Sequence, residues 1–330
     1  MLELVPIPDD RTGLRALLAG SVRDRGIPGE DPMEMLTAVE QAFGRPDPPA
    51  RLARDGGRTV GMVVWNSATP IGVGVALAYL EPPRNDAATY RELLDRNREL
   101  VGPVPFVSGP LVGLTRREER ELFTSLGYTP FARLEMRRAL SEPLPPPREP
   151  VPGLRSARLD DEPRLIPLQA AAYDRHFDRY LFFNDPDPMR DAELQMHEVF
   201  GGVHGEFRPD VSTVVEASGA IRAACLVVHR SYGPLIVDVM VDPPLRGRGL
   251  ARAALVGSLE RLRAAGDPSV ALNVTVGNAP AIRLYERVGF RSSIGPSQDW
   301  YDPAIVPTAP GAAYDGPAAS GGSAARTSGE

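Results

Sequence analysis

The chain has 330 residues, 42% of them hydrophobic and 24% charged, with a formal net charge of -6 and one cysteine, Cys225. That length suits two domains of ordinary size, the acidic balance argues against general affinity for nucleic acid or anionic membrane, and one cysteine excludes an intrachain disulfide. All 37 basic residues are arginine, no basic-then-apolar leader opens the chain, and no run of about 18 apolar residues occurs, so the expected protein is soluble and cytoplasmic.

The first half reads as a mixture of strands and helices. "LELVPI" is a strand and helices are expected over 12–25 and 32–44. "RLARDGGRTVGMVVWN" is a hairpin turning at Gly56-Gly57. The strand "IGVGVALAYL", the helix "AATYRELLDRNREL", the strand "VPFVSG", the helix "RREERELFTSLGY" and a last strand "FARLEMRRAL" follow. Prolines then crowd 141–152, "SEPLPPPREPVP", which favours an extended, semi-rigid spacer. The division predicted is a domain over 1–140, a linker over 141–152, a domain over 153–302 and a disordered tail over 303–330, small and polar in composition.

The second half repeats the order. "GLRSARL" is a strand, and "EPRLIPLQAAAYDRHF" and "MRDAELQMHEVF" are helices. "VSTVVEA" and "IRAACLVVHRS" are strands joined by a Ser218-Gly219 turn, and "PLIVDVMV" is a β-branched strand. A helix from Leu250 carries Ala251, Leu255, Leu259 and Leu262 on one face and ends at Gly266. The strand "VALNVTV" and the helix "APAIRLYERVGF" close the domain, and "LYERVGFRSS" mirrors "LFTSLGYTPF" of the first half.

Between "PLIVDVMV" and its helix stands "VDPPLRGRGLA". Gly247 and Gly249 admit a ligand close to the backbone, the first helical N–H groups lack internal partners, and Arg246 and Arg248 add charge. A phosphate would fit there, and a turn chosen for geometry alone would look the same. A lysine-dependent phosphate loop is excluded because the chain has no lysine, and a three-glycine dinucleotide turn because its third position holds Arg252.

Arg246, Gly249 and Ala251 fill a [QR]-x-x-G-x-[GA] pattern, and Asn278, Ala281, Tyr285, Gly289 and Phe290 fill a second, Asn then A-x-x-x-Y then G-F. Together and in order, these resemble the GNAT superfamily of acyl-CoA-dependent N-acetyltransferases, closely over 235–291 and by order of elements over 153–234. The resemblance implies an α/β (α+β) fold of two tandem GNAT-like domains, each a mixed, mostly antiparallel central sheet flanked by helices. It implies acetyl-CoA as co-substrate. The backbone of Arg246, Gly247, Arg248, Gly249, Leu250 and Ala251 would hold the pyrophosphate. The pantetheine arm would pair with Val239, Met240 and Val241 where their strand splays from the one carrying Leu272 and Val274. Asn278 would bind the arm or organise the turn below it.

Two catalytic residues follow from the same resemblance. Tyr285 would be the general acid for the departing thiolate, or else a core aromatic. Asp238 would be the base or an amine-binding group, or else a structural hydrogen-bond partner; Leu235 and Asn273 stand where many relatives carry a glutamate. His229 is a further alternative for the base. His176, His197, His204 and His229 show no metal-ligand spacing. The aromatic-rich segment 172–185, with Phe182 and Phe183, lies where the family's first helices cover the acceptor site. In the first half Pro82-Pro83 echo Pro243-Pro244, yet no glycine turn follows and Asn85 and Asp86 would cap the helix instead, so this half is expected to be a degenerate copy unable to bind acyl-CoA.

The reaction implied is acetyl transfer to a primary amine of a small molecule or peptide by direct attack in a ternary complex. Alternatives are a non-catalytic acetyl-CoA-binding regulatory module and acetylation of an amino-sugar conjugate of the mycothiol-synthase kind. No nucleic-acid, membrane or metal partner is expected.

Overall fold

A computed structural model describes residues 1–7, 17, 50–65, 73–101, 106–108, 111–145, 150–174, 176–181, 185, 187–230, 232–292 and 297–301. Apart from Leu17, the helices expected over 12–25 and 32–44 lie outside the described residues, as do Phe182, Phe183 and the tail over 303–330.

In the first half the strands β1 (Leu2–Val5), β2 (Ala50–Asp55), β3 (Arg58–Trp65), β4 (Val73–Leu80) and β5 (Phe106–Ser108) form a sheet with helices α1 (Ala87–Val101) and α2 (Arg116–Ser125). Gly56 and Gly57 turn the β2–β3 hairpin at φ values of 57° and 82°, which a side chain would oppose. Asp86, and not Asn85, caps α1: its Oδ1 accepts from the N–H groups of Ala88 and Thr89 at 3.0 Å each. Thr115 and Glu118 form a capping box at α2. The half ends in β6 (Thr129–Ala139).

The second half contains β7 (Leu154–Ser156), α3 (Glu162–Tyr173), α4 (Pro188–Phe200), β8 (Glu206–Phe207), β9 (Thr213–Ala217), β10 (Ala220–Arg230), β11 (Gly233–Val241), α5 (Leu250–Ala264), β12 (Ser269–Thr275), α6 (Ala279–Arg287), β13 (Arg291–Ser292) and β14 (Ser297–Tyr301), and from β9 to α6 its order repeats that of the first half from β2 to α2. Helices α5 and α6 pack on one face, where Leu255, Leu259 and Leu262 are wholly buried with Ile236, Leu272 and Val274. Helices α3 and α4 cover the other face through Leu165, Met196 and Val199, which pack with Leu235, Met240 and Ala271. Each such buried aliphatic side chain contributes roughly 1.5–3 kcal/mol.

The strand order is β1-β2-β3-β4-β5-β14-β6-β12-β11-β10-β9-β7, so one sheet runs through both halves. The join is an exchange. The C-terminal strand β14 lies between β5 and β6 of the first half, while β6 pairs antiparallel along β12 from Ala139↔Ser269 to Arg133↔Thr275. Trp300 of β14 is wholly buried in the first half's core, its ring 4.9 Å from Phe123 and its Nε1 donating to Glu119. β14 is the one sizeable strand that the hydrophobic pattern does not announce.

Two parallel pairs interrupt the antiparallel order, β4 with β5 and β11 with β12. They behave differently, and that difference positions the site. β11 and β12 pair only at Leu235↔Ala271 and Ile236↔Leu272 and then diverge. Just there β11 carries a bulge: Val227 faces Ile236 while Leu226 faces Asp238, so Val237 is the extra residue. A bulge bends its strand, and this one turns β11 away from β12.

Candidate active site

A cavity of about 1200 Å³ opens between the diverging ends of β11 and β12. Val239, Met240 and Val241 line it on the β11 side, with Val274 and Thr275 on the β12 side. Beyond Ile236 the β12-facing N–H and C=O groups of β11 have no strand partner, so an extended ligand can complete the sheet there.

At one end the chain turns through Pro243–Leu245 and enters α5. Gly247 and Gly249 have φ values of 77° and 82°, and a Cβ on either would meet only open space. Gly249 is the N-cap residue and has no side chain to cap with, so the N–H groups of Leu250, Ala251 and Arg252 have no acceptor within the helix. The result is a shallow cradle of backbone donors at the positive end of a 15-residue helix, which suits a phosphate. Arg246 does something else with its charge: its Nη2 donates to the Ala172 carbonyl at 2.7 Å, tying the cradle to the end of α3. Arg248 is exposed and does not line the cavity, whereas Arg252 does.

At the other end sit the titratable groups. Asp238, the residue after the bulge, is 5% exposed. Its Oδ1 accepts from the Tyr173 hydroxyl at 2.7 Å, and its Oδ2 has no hydrogen-bond partner. Burial pushes its carboxyl up to about 7; the Tyr173 hydrogen bond pulls against this, and the nearby Asp178 carboxylate adds to it. Tyr285 of α6 is 8% exposed, packs edge-on to Phe290 at 5.9 Å and lines the same cavity. Burial, first, and the neighbouring Cys225, Asp238 and Asp178 drive its hydroxyl well above its ordinary value, so it stays protonated.

Asn278 caps α6, its Oδ1 accepting from the Ala281 N–H at 3.3 Å, while its Nδ2 donates to Asp178 Oδ2 at 3.3 Å. Both ends of its amide are therefore engaged in organising the turn. Leu235 is buried in the core under α3 and α4, and Asn273 is an exposed residue paired with Glu135. His229 does not line the cavity, but His176 and His204 do. No group of three or more potential metal ligands occurs among the described residues.

Among the lining residues not singled out from the sequence are Tyr173, Asp178, Gln195, Thr275 and Arg133. Tyr173 and Asp178 lie in the aromatic-rich segment 172–185, which was the available signal. Arg133 comes from β6, and only the strand exchange brings it here.

In the first half the corresponding gap is closed. β4 and β5 pair from Val73↔Phe106 to Val75↔Ser108, and Ala78 still bridges Leu111 beyond. The hydroxyl of Tyr90, wholly buried, accepts from the Leu80 N–H at 3.1 Å and donates to the Val112 carbonyl at 2.6 Å. Leu80 precedes Glu81-Pro82-Pro83 as Val241 precedes Asp242-Pro243-Pro244. The N–H that would meet a ligand is already taken.

Residues 160–290 match the model of the acetyltransferase (GNAT) family. Mycothiol acetyltransferase of Acidothermus cellulolyticus is 34% identical over 170 residues, which are 48% of this chain and 50% of that protein; the chain thus spans about half the length of the curated relatives it matches. Among solved structures, a GCN5-related N-acetyltransferase from Sphaerobacter thermophilus superposes with a TM-score of 0.61 at 20% identity over 91% of this chain and 95% of the other. A tandem GNAT protein from the clavulanic acid biosynthesis pathway superposes with a TM-score of 0.53 at 16% identity over 91% and 98%. Residues 160–290 therefore match the acetyltransferase (GNAT) family, and the fold of the described chain is similar to that of a tandem GNAT protein.

Proposed function

We propose that the chain transfers an acetyl group from acetyl-CoA to a primary amine of a small molecule or peptide, in a ternary complex held by the second half. The observation that carries this reading is the single opening between β11 and β12, with backbone donors at Gly247–Arg252 at one end and a buried, half-satisfied Asp238 at the other. The residues present fit acetyl-CoA: the α5 N-terminus suits the pyrophosphate and the free edge of Val239–Val241 suits the amide-bearing arm. Bound there, acetyl-CoA would supply the acetyl group as a thioester.

The chain's own groups do the rest. An aliphatic amine reaches the site as its ammonium ion and must lose a proton before it can attack. Asp238, with its carboxyl near 7, is matched to take that proton at neutral pH and to release it afterwards. Tyr285, held protonated by burial, is the donor for the departing thiolate. The division proposed is a domain over 1–140, a linker over 141–152 and an acetyl-CoA-binding domain over 153–302, with β6 and β14 crossing between them. The first half, closed by Tyr90, completes the second half's sheet and does not bind the co-substrate.

The likeness to mycothiol acetyltransferase supports an amino-sugar conjugate as a narrower acceptor class. Release of free CoA thiol from acetyl-CoA with a panel of amines tests the reading. Binding of acetyl-CoA without thiol release for any amine would leave a regulatory acetyl-CoA-binding module in its place.

A further inference from the structure

Three buried oxygen atoms on residues that line the cavity lack a hydrogen-bond partner among the described residues: Asp238 Oδ2, Asp178 Oδ1 and Thr275 Oγ1. Asp238 is 5% exposed and Thr275 7%, so water does not freely satisfy them. They come from three elements: β11, the turn Phe177–Leu181 and β12. Folds rarely leave such atoms orphaned in one place.

The rest of each side chain is fixed. Asp238 Oδ1 is held by the Tyr173 hydroxyl. Asp178 Oδ2 takes the Asn278 amide, and the Asp178 N–H donates to His176 Nδ1 at 3.2 Å. The Tyr173 ring packs edge-on to His176 at 6.0 Å, which locks the two carboxylates into one frame. Two of the arginines lining the cavity are turned to backbone carbonyls, Arg230 to His204 and Arg246 to Ala172.

Three fixed acceptors match the three N–H donors of a primary ammonium group. We propose that Asp178, Asp238 and Thr275 form an ammonium-binding site, which selects acceptors whose amine is charged at neutral pH, with Asp178 as the selectivity residue. The proposal rests on the acetyl-transfer reading and deepens it. Asp238 takes one of the three protons and becomes a carboxylic acid. The two remaining N–H bonds stay on Asp178 and Thr275 while the freed lone pair on nitrogen attacks the thioester carbon; as the carbon–sulfur bond breaks, Tyr285 gives its proton to the departing thiolate and takes up the second proton that the nitrogen sheds in becoming an amide with one N–H.

The test has two arms. In the first, thermal shift compares benzylammonium chloride with benzyl alcohol, its neutral counterpart, on the full chain and on Asp178→Asn. Benzylammonium should raise the melting temperature, benzyl alcohol should not, and Asp178→Asn should abolish the difference. Equal effects of the two probes, or an unchanged difference in the variant, would overturn the site. In the second arm, thiol release is followed with benzylamine, glucosamine and alanine amide against aniline, which is uncharged at neutral pH. The aliphatic amines should be turned over and aniline should not. Asp178→Asn should raise KM for the best amine tenfold or more with the KM for acetyl-CoA unchanged, and the near-isosteric Thr275→Val should raise it several-fold. Aniline used as well as benzylamine would overturn the proposal. Acetyl-CoA binding with no amine turned over would instead fail the acetyl-transfer reading, and the first arm alone would then decide the ammonium site.

Discussion

The Tyr173 hydroxyl donates to Asp238 Oδ1 over 2.7 Å, joining the last residue of α3 to the first residue after the β11 bulge. This bond spans the place where the strands part. It holds a buried carboxylate in a chosen orientation and leaves one oxygen open.

A first prediction concerns Asp238→Asn. Burial raises this carboxyl from its ordinary 3.8 to about 7, so the folded chain disfavours the charged form. Stability from this group is therefore fully present below 3.8, drains as pH rises to about 7, and is level above that. The drain runs at up to about 1.4 kcal/mol per pH unit. Asparagine escapes it and still accepts from Tyr173. The variant should melt above the parent at pH 8 and converge with it at pH 4, while kcat/KM falls by about 100-fold or more.

Tyr173→Phe removes a donor that favours the carboxylate form. Asp238 should then ionise at still higher pH, and the rising limb of kcat/KM against pH should move to the alkaline side. A pH profile superimposable on the parent's would show that Tyr173 plays no part in setting the base.

Much of this was legible in the sequence, and the exceptions have physical reasons. The glycine turn, its helix and the Asn278–Tyr285 helix carry signals within a few residues of themselves, and the structure places them at one cavity. Arg246 shows the limit: its spacing matched a phosphate turn, but its guanidinium serves the Ala172 carbonyl, a partner 74 residues away. Asp178 and Thr275 became visible only when three elements met. β14 is five residues long and is held by strands of the other half, so no local pattern could assign it.

The strand exchange yields a stability prediction. Trp300 is buried against Phe123 and bonded to Glu119, far along the chain from both. Trp300→Ala should cost about 3–5 kcal/mol in denaturant unfolding. It should also lower acetyl-CoA affinity in the second half, because β14 braces β6 and β6 braces β12. Affinity left unchanged at a temperature where the variant is folded would mean that the two halves are energetically independent.

The final prediction separates the halves by stoichiometry. Calorimetry should count one acetyl-CoA per chain, because Tyr90 occupies the first half's gap and only the second offers open donors at Gly247 and Gly249. Gly249→Ala would force an L side chain to φ 82°, at about 1 kcal/mol of backbone strain, and should weaken acetyl-CoA binding. Tyr90→Phe would strand the Leu80 N–H and the Val112 carbonyl, costing roughly 1–3 kcal/mol for each buried group left unpaired. It should nonetheless leave the count at one, since removing the plug does not create an α5-like cradle: α1 begins with the Asp86 carboxylate already bonded to its first N–H groups, and a second negative charge there would be repelled. A count of two in the parent would place a working site in the first half and overturn the asymmetry.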